Sequence, residues 1–587
     1  MAAYTTEPIC AQMHPLPNQT KVLLWLSCAW ICALGLFISF STYGAYQKAT
    51  RIEEYAYGCD SFGYLDNAKE IRQAFSNREL PKFWIDSEQA RLLTNFLQSH
   101  NVPAPLWQDL VAPLAYRYLP LARHIGCQYP PGTGLVLSVF PRGKAVVRLN
   151  KTFIALLFLI ALSALMFSAW RRLWISAGFV VLASYLGLRM IADIGSWSFS
   201  INACLPVLLL SFGCMFAGLW LQSRSGNMLR GVWLLLLLGG LFAGLAILIR
   251  LAVAFLIPGL VILLWPESWK ISRQNRVIPF IIGVFLAGIL PVLIFQQYDT
   301  GAWYVPSYPP WATTAPQLNW LSSNAAYYLG NGPGNVGTWG VFLTVVGLVG
   351  LIIRRHNYRR KTEFLTLRRL MVAVVLVWGI PTGYFLTHHT TEPYYLIPST
   401  FGTVLLAAFG VFTIELLSSQ SDVQRSFTSS QILNWIAVIL CFLPGIVTLA
   451  RGAPTVWRWV TTSYPPRPRA HEMVLPQRLA GNRAWVWADY ISGTLWYYAD
   501  KPAFKIANTD KRTRAMIYRF VFDRGELQYF VQDSPYMTSI MDEIPEMGGK
   551  LVLIPGGVDH LPYFLVQWPK EGPIFDRKRD ISGSQSN

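Results

Sequence analysis

The chain has 587 residues, of which 53% are hydrophobic and 14% are charged, and its net charge is +18. Soluble domains carry roughly 25% charged residues, so this composition excludes a water-soluble protein and predicts an integral membrane protein. The positive charge does not indicate nucleic-acid binding, because the arginines gather at the ends of apolar segments, as they do on the cytoplasmic side of membrane proteins.

About eleven apolar segments approach the roughly 20 residues with which an α-helix crosses a bilayer. The first, 22–45, is long and lacks a small-residue cleavage site, which predicts a retained anchor rather than a signal peptide. The segment 251–265 is the shortest and contains Pro258. The others are 152–170, 173–191, 203–221, 231–249, 278–297, 338–353, 370–387, 396–417 and 432–450.

The orientation of the spans follows from the short loops between them. Alternate loops are basic, and the most basic one, 354–369, contains a single acid, Glu363. Because lysine and arginine accumulate in cytoplasmic loops, we expect the N-terminus in the cytoplasm. The segments expected on the outer side are then 46–150, 298–337, 388–395 and 451–587.

Two of these outer segments are too long and too polar to be simple connections. In the first, 46–150, residues 60–75 and 86–98 have the spacing of amphipathic helices, which can lie at a membrane surface. The sequence therefore predicts a structured outer segment between the first and second spans.

The second long outer segment, 451–587, follows the last apolar span. Strand-like residues at 484–488 and 550–554 alternate with a helical pattern at 491–499, which is typical of an α/β domain. The predicted fold class is therefore a polytopic α-helical membrane domain at 1–450, followed by a small extracytoplasmic α/β domain at 451–587.

Two cysteines, Cys59 and Cys127, occur in the same outer segment. If that segment faces an oxidising compartment, the two thiols can form a disulfide. The alternative is that both are ordinary buried cysteines, which behave as small apolar residues.

Asp60 follows the first span and starts a helical pattern in which Asp60 and Tyr64 share one face. A carboxylate at the membrane surface can accept a proton from a substrate hydroxyl, and an aspartate is ionised at neutral pH. This spacing makes Asp60 a candidate general base. The alternative is a helix N-cap that satisfies free backbone amides.

A short outer loop places several polar side chains at the bilayer edge. It contains His388, His389, Glu392, Tyr394 and Tyr395. Interfacial anchoring explains the two tyrosines, but it does not explain the histidines and the acid. The loop is therefore a second candidate substrate-binding region.

Arg250 interrupts an otherwise apolar run between two spans. Charged residues within a membrane are commonly functional, and a guanidinium can hold a lipid phosphate through two hydrogen bonds. The alternative is that the side chain only extends to the membrane interface.

Taken in chain order, these residues resemble a known family. The acid Asp60 with an aromatic residue four positions later, the Pro-Pro turn in Tyr129-Pro-Pro-Gly-Thr-Gly134, Arg250 after a run of apolar residues, and the late loop with His389 and Tyr395-Leu-Ile-Pro398 are similar to motifs of the GT-C membrane glycosyltransferases. The resemblance is to the branch of protein O-mannosyltransferases and lipid A aminoarabinose transferases.

The chain departs from that pattern at two places. Ser61 follows Asp60 where the family often has a second acid, and Pro393-Tyr394 stands where an Arg-Tyr pair is common. The first departure weakens any two-acid or metal-binding interpretation. The second removes one expected contact to phosphate.

The resemblance implies an inverting glycosyltransferase that moves a hexose or pentose from a polyprenyl-phosphate donor to a lipid, glycan or protein acceptor. It implies the outer face of the plasma (inner) membrane and contacts with membrane lipids. No cofactor is required, although a divalent metal ion is possible. Asp60 is the implied general base, and the implied substrate-binding residues are Tyr64, Arg250, His388, His389, Glu392 and Tyr395.

Two other classes of function remain open at this point. A transporter or lipid flippase also has many spans, but inverted repeats and helices broken at the membrane midplane are typical of that class, and the sequence shows neither clearly. A non-catalytic envelope assembly protein is the third possibility, with the C-terminal domain as its binding module.

Overall fold

The computed structural model describes most of the chain. The described residues are 18–49, 58–171, 173–194, 199–225, 230–265, 276–308, 315–329, 345, 361–389, 392, 394–419, 430–462, 484–499, 502–506, 509–554 and 561–574. The predicted span 338–353 lies outside these residues, apart from Val345.

Helices account for most of the described residues. A 3₁₀ turn at Leu251–Leu256 precedes α9, and a π-helical turn at Phe285–Ile289 joins α10 to α11. In chain order the helices are α1 (Asn18–Ala49), α2 (Gly58–Asn77), α3 (Glu88–Ser99), α4 (Gly132–Ser138), α5 (Ala145–Arg171), α6 (Trp174–Ile194), α7 (Phe199–Ser225), α8 (Arg230–Ile249), α9 (Ile257–Leu264), α10 (Val277–Val284), α11 (Leu290–Thr300), α12 (Leu321–Leu329), α13 (Lys361–Leu386), α14 (Ile397–Ser419), α15 (Ser430–Thr461), α16 (Ser492–Ala499), α17 (Lys511–Asp523) and α18 (Pro535–Glu546).

By length and composition, seven of the described helical segments can cross a membrane. Two further apolar segments, Leu251–Leu264 and Ile397–Thr413, are shorter, and α15 contains the predicted last span. The protein is therefore a polytopic α-helical membrane protein, as the hydropathy predicts. The seven segments are Ser27–Ala49, Ala145–Arg171, Trp174–Ala192, Phe199–Gln222, Arg230–Ile249, Val277–Thr300 and Arg368–Leu386.

Polar contacts mark the end of the helical bundle that is remote from Asp60. The Glu415 carboxylate accepts hydrogen bonds from the backbone N–H groups of Ile175 (3.0 Å) and Ser176 (2.8 Å). These amides open α6 and have no intrahelical partner, so a side chain of α14 caps a neighbouring helix. The Arg369 guanidinium donates to the Trp265 carbonyl, at 2.7 Å.

The opposite end, called the Asp60 end below, carries the structured segment between α1 and α5. The predicted helices at 60–75 and 86–98 are α2 and α3. A three-stranded antiparallel sheet accompanies them, with the order β1-β3-β2, and it was not predicted. Its strands are β1 (Trp84–Ile85), β2 (Tyr116–Leu119) and β3 (His124–Cys127).

The C-terminal residues form the predicted α/β domain. Its five-stranded sheet has the order β5-β4-β6-β8-β7, in which β4 runs parallel to β5 and β6, and the β6–β8 and β8–β7 pairs are antiparallel. The predicted strands 484–488 and 550–554 are β4 and β7, and the predicted helix 491–499 is α16. The strands are β4 (Ala484–Trp487), β5 (Ala503–Phe504), β6 (Leu527–Val531), β7 (Lys550–Leu553) and β8 (Tyr563–Gln567).

The C-terminal domain packs on the segment that carries Asp60. The Leu114 N–H donates to Ser492 Oγ at 2.9 Å, and Gly493 lies so close to Phe62 that a Cβ atom at this position would be 2.2 Å from the Phe62 ring. The last apolar helix, α15, continues to Thr461, past the predicted domain boundary at 450. The C-terminal domain and α2 are therefore at the same end of the bundle.

Candidate active site

Asp60 lies in the first turn of α2 and is half-buried. Its Oδ1 accepts a hydrogen bond from the Tyr129 hydroxyl at 2.5 Å, and its Oδ2 accepts one from the Tyr394 hydroxyl at 3.3 Å. Because α2 already begins at Gly58, Asp60 is inside the helix and the N-cap interpretation is wrong. An acid in the first turn also interacts favourably with the helix dipole.

Tyrosine rings surround this carboxylate. The ring of Tyr129 lies 4.8 Å from that of Tyr64 and 5.9 Å from that of Tyr308, measured between centroids. Burial raises the pKa of the Tyr129 and Tyr64 phenols well above the ordinary value, and the negative charge of Asp60 raises both further. The Tyr129 hydroxyl therefore keeps its proton and remains a hydrogen-bond donor to Asp60.

Arg250 is the cation of the site. It has an extended backbone, with φ −150°, between the end of α8 and the following 3₁₀ turn, so the apolar run is broken at this residue. The guanidinium donates from Nη1 to Ser200 Oγ at 3.1 Å, and it lies 4.9 Å from the ring of Tyr394 and 5.3 Å from that of Tyr395. Such distances are typical of cation–π interactions. Its Nε is buried and has no hydrogen-bond partner among the described residues.

Tyr394 links the acid and the cation. Its hydroxyl donates to Asp60 while its ring faces Arg250. Burial raises the pKa of this phenol, with the charge of Asp60 as the next cause. Tyr394 therefore contacts both the carboxylate of α2 and the guanidinium at the end of α8.

Glu392 extends this arrangement. It is half-buried, its backbone N–H donates to the Tyr328 hydroxyl at 3.2 Å, and burial together with the charge of Asp60 raises the pKa of its carboxyl group. The charge of Arg250 acts in the opposite direction. Asp60, Arg250 and Glu392 therefore share one electrostatic environment.

The turn Tyr129-Pro-Pro-Gly-Thr-Gly134 joins the two halves of the site. At Gly132 a Cβ atom would lie 2.4 Å from the backbone of Leu248 and Ile249, and at Gly134 it would lie 2.6 Å from Asn67 Cβ. Only glycine allows these two close approaches. The turn therefore sits between α2, which carries Asp60, and the end of α8, which precedes Arg250.

His388 and His389 lie in the neighbouring loop. The ring of His388 is buried and lies 5.2 Å from the ring of Tyr384 and 4.6 Å from that of His389. The His388 carbonyl accepts a hydrogen bond from Asn324 Nδ2 at 2.6 Å. The two histidines are part of a packed loop next to Tyr395, and their role in substrate binding stays a prediction.

The described residues contain no group of three His, Cys, Asp or Glu side chains that could hold a metal ion. The neighbours of Asp60 are phenols, which do not favour a hard divalent cation as a second carboxylate does. The metal requirement left open by the sequence stays untested.

Of the two alternatives that the sequence left open for Cys59 and Cys127, the structure has the one without a disulfide: both are free thiols. Cys59 Sγ accepts a hydrogen bond from Gln128 Nε2 at 2.8 Å and lies 2.9 Å from the Tyr129 hydroxyl oxygen. Cys127 is fully buried at the end of β3. The two thiols are therefore held in separate packed environments.

These environments predict unreactive thiols. Burial raises the pKa of Cys59 to about 12, and it raises that of Cys127 well above its ordinary value. Because the thiolate is the reactive form, we expect neither thiol to react with maleimide at pH 7.5 in the folded protein. Both should react after unfolding in detergent without reductant, as measured by mass spectrometry. A need for reductant in the unfolded protein would show that a disulfide exists.

Comparison with solved structures finds archaeal oligosaccharyltransferases. The oligosaccharyltransferase AglB from Archaeoglobus fulgidus, in complex with an inhibitory peptide and a dolichol-phosphate, is 10% identical, with 91% of this chain and 74% of that chain covered and a TM-score of 0.31. The A. fulgidus oligosaccharyltransferase tethered to an acceptor peptide is 11% identical (92% and 75% covered, TM-score 0.34), and its apo form is 12% identical (91% and 74% covered, TM-score 0.33).

No family model matches the sequence, and no curated protein matches it. The function proposed below is argued from this chain's own residues.

Proposed function

We propose that this protein is a membrane glycosyltransferase that moves a sugar from a polyprenyl-phosphate donor to an acceptor, with Asp60 as the general base. One observation carries the proposal: Tyr394 joins a carboxylate and a guanidinium, and this pair lies where the ends of two spans meet a folded polar segment. The pair combines a proton acceptor with a phosphate-binding cation at the level of lipid headgroups.

The donor phosphate is assigned to Arg250. A polyprenyl chain lies in the hydrocarbon region, so its phosphate lies at the ends of the spans, where Arg250 follows α8. The buried Arg250 Nε has no hydrogen-bond partner among the described residues, so it can donate a hydrogen bond to a phosphate oxygen. A fixed cation stabilises the negative charge that develops on the phosphate as it leaves the sugar.

The acceptor is assigned to the Asp60 side. The hydrogen bonds from Tyr129 and Tyr394 fix the carboxylate in one orientation. As the acceptor oxygen bonds to the anomeric carbon, Asp60 takes its proton. The bond from that carbon to the phosphate oxygen breaks, and polyprenyl phosphate leaves with the electron pair. Attack opposite the leaving group inverts the configuration of the anomeric carbon.

The other candidate residues are assigned to the sugar. Glu392 lies within the electrostatic reach of both Asp60 and Arg250, and Tyr64 and Tyr395 pack beside them. Phenols and a carboxyl group can hydrogen-bond to sugar hydroxyls. We assign the same task to His388 and His389. A lipid, a glycan or a protein can each supply the acceptor hydroxyl.

The basic short loops predict that the Asp60 end faces the outside of the plasma (inner) membrane. In this orientation the N-terminus is cytoplasmic and the C-terminal domain is extracytoplasmic, next to the acceptor side of the site. No nucleotide enters the reaction, because the lipid-linked sugar is the donor.

The proposal is tested in proteoliposomes with radiolabelled hexosyl and pentosyl polyprenyl phosphates and an envelope extract as the source of acceptor. We expect cleavage of the sugar–phosphate bond, with an inverted anomeric configuration in the product as measured by nuclear magnetic resonance. Retention of configuration contradicts direct attack by the acceptor. Movement of intact donor across the bilayer without cleavage indicates a flippase instead.

A further inference from the structure

The C-terminal domain places a lysine beside the site. Lys505 follows β5, and the Phe504 carbonyl accepts a hydrogen bond from the Ala488 N–H at 3.1 Å, just after β4 ends. Because β4 and β5 are parallel, Lys505 and the turn that begins at Asp489 both lie at the carboxyl ends of these strands. Ligands of open α/β sheets commonly bind just outside the carboxyl ends of the strands.

The carboxyl ends of β4 and β5 lie against the segment that carries Asp60. The turn after β4 ends at Ser492, whose hydroxyl accepts the Leu114 N–H at 2.9 Å, and the helix α16 that starts there packs on α2, with Gly493 against the Phe62 ring. The positive charge of Lys505 lies close enough to the Cys59 thiol to favour its ionised form. The carboxyl ends of β4 and β5, where Lys505 lies, therefore face the first turns of α2, which carry Cys59 and Asp60.

Lys505 is half-buried, and no carboxylate among the described residues forms an ion pair with it. Other basic residues of the same domain are paired: Lys511 lies 2.5 Å from Glu546, and Arg514 lies 2.5 Å from Glu543. A partly buried charge is favourable when a counter-charge is close. Lys505 is therefore a half-buried cation without an ion-pair partner among the described residues, at the end of the sheet that packs on the segment carrying Asp60.

We propose that Lys505 binds a second phosphate group at the Asp60 site, in addition to the phosphate assigned to Arg250. This inference rests on the proposed function. An ammonium group binds phosphate as a point charge. The second phosphate is either the outer group of a polyprenyl-diphosphate donor or a phosphate carried by the acceptor, and these two sources are separated by experiment.

The experiment measures binding to the purified full-length chain in lipid nanodiscs at about 0.15 M salt, where screening between exposed charges is strong. Farnesyl phosphate and farnesyl diphosphate are the probes. If the donor supplies the second phosphate, the wild type prefers the diphosphate, and Lys505→Met lowers this preference on the order of tenfold. Lys505→Arg should keep the preference. Lys550→Met, an exposed lysine at the far edge of the sheet, is the matched control and should not change it.

A second arm tests the acceptor as the source. With farnesyl phosphate saturating, the wild type should bind glycerol 3-phosphate, and Lys505→Met should lower that affinity on the order of tenfold. The proposal is supported if Lys505→Met lowers the preference for farnesyl diphosphate or the affinity for glycerol 3-phosphate while its thermal unfolding is unchanged. It is overturned if Lys505→Met changes neither quantity, or if Lys550→Met has the same effect.

The same experiment separates this inference from the proposed function. Arg250→Gln should weaken the binding of farnesyl phosphate, a probe that lacks the second phosphate. If Arg250→Gln has no effect and Lys505→Met does, the assignment of the donor phosphate fails and the anion site at Lys505 stands. If only Arg250→Gln has an effect, the assignment of the donor phosphate to Arg250 stands and the anion site at Lys505 fails.

Discussion

Arg250→Gln is expected to lower kcat/KM for a polyprenyl-phosphate sugar by about 10²–10³-fold, the range seen when one preorganised donor to a developing negative charge is removed. The substitution keeps a side chain that can hydrogen-bond to Ser200 and removes the positive charge. It also removes the cation that faces the rings of Tyr394 and Tyr395. The measurement is steady-state turnover in proteoliposomes at several donor concentrations.

Two control variants sharpen this result. Arg250→Lys keeps the charge but lacks the planar fork of the guanidinium, so we expect an intermediate loss. Arg91→Gln makes the same change in charge at an exposed position of α3 and should have wild-type activity. Wild-type kinetics in Arg250→Gln would exclude Arg250 from the donor site.

Gly132→Ala is expected to lower both turnover and stability. Its Cβ atom would be 2.4 Å from the backbone nitrogen of Ile249 and the carbonyl carbon of Leu248, so either the turn or the end of α8 must move. Because Arg250 follows directly, the movement separates Arg250 from Asp60. A displacement of about 1 Å at a catalytic group can lower activity about 10²-fold, and overpacking lowers the free energy of unfolding by about 1–3 kcal/mol.

The measurement for Gly132→Ala combines turnover with thermal unfolding in the same detergent. Gly213→Ala is the matched control, because a Cβ atom at Gly213 meets no other atom within 4 Å. Since alanine favours helix over glycine, Gly213→Ala should keep both activity and stability. If Gly132→Ala behaves like Gly213→Ala, the turn does not position Arg250.

The sequence and the structure agree most closely where a pattern is local. Long apolar runs predict the spans, and the spacing of Asp60 and Tyr64 predicts a helix that the structure shows as α2. In the C-terminal domain the apolar residues of β4 were sufficient to predict a strand. The strands β1 and β5 have two residues each, which is too short for an alternating pattern to appear.

The parts of the site that the sequence did not predict depend on contacts between distant segments. Tyr129 and Tyr394 are 69 and 334 positions away from Asp60, and neither has a local pattern that indicates a bond to a carboxylate. Ser200 contacts Arg250 across 50 positions. The sequence left a disulfide between Cys59 and Cys127 open for the same reason, because two cysteines in one loop do not reveal which side chains pack around each thiol.

The most direct test of the central claim is the turnover of Asp60→Asn. Asparagine keeps the size of the side chain. Its Oδ1 can accept the hydrogen bond of one of the two phenols and its Nδ2 can donate to the oxygen of the other, but it cannot take a proton at neutral pH. We predict that donor cleavage falls by at least about 10²-fold, while farnesyl phosphate still binds and Asp86→Asn, an exposed acid in the same segment, is fully active. Wild-type turnover in Asp60→Asn would contradict the account, because the reaction would then not use the Asp60 carboxylate as its base.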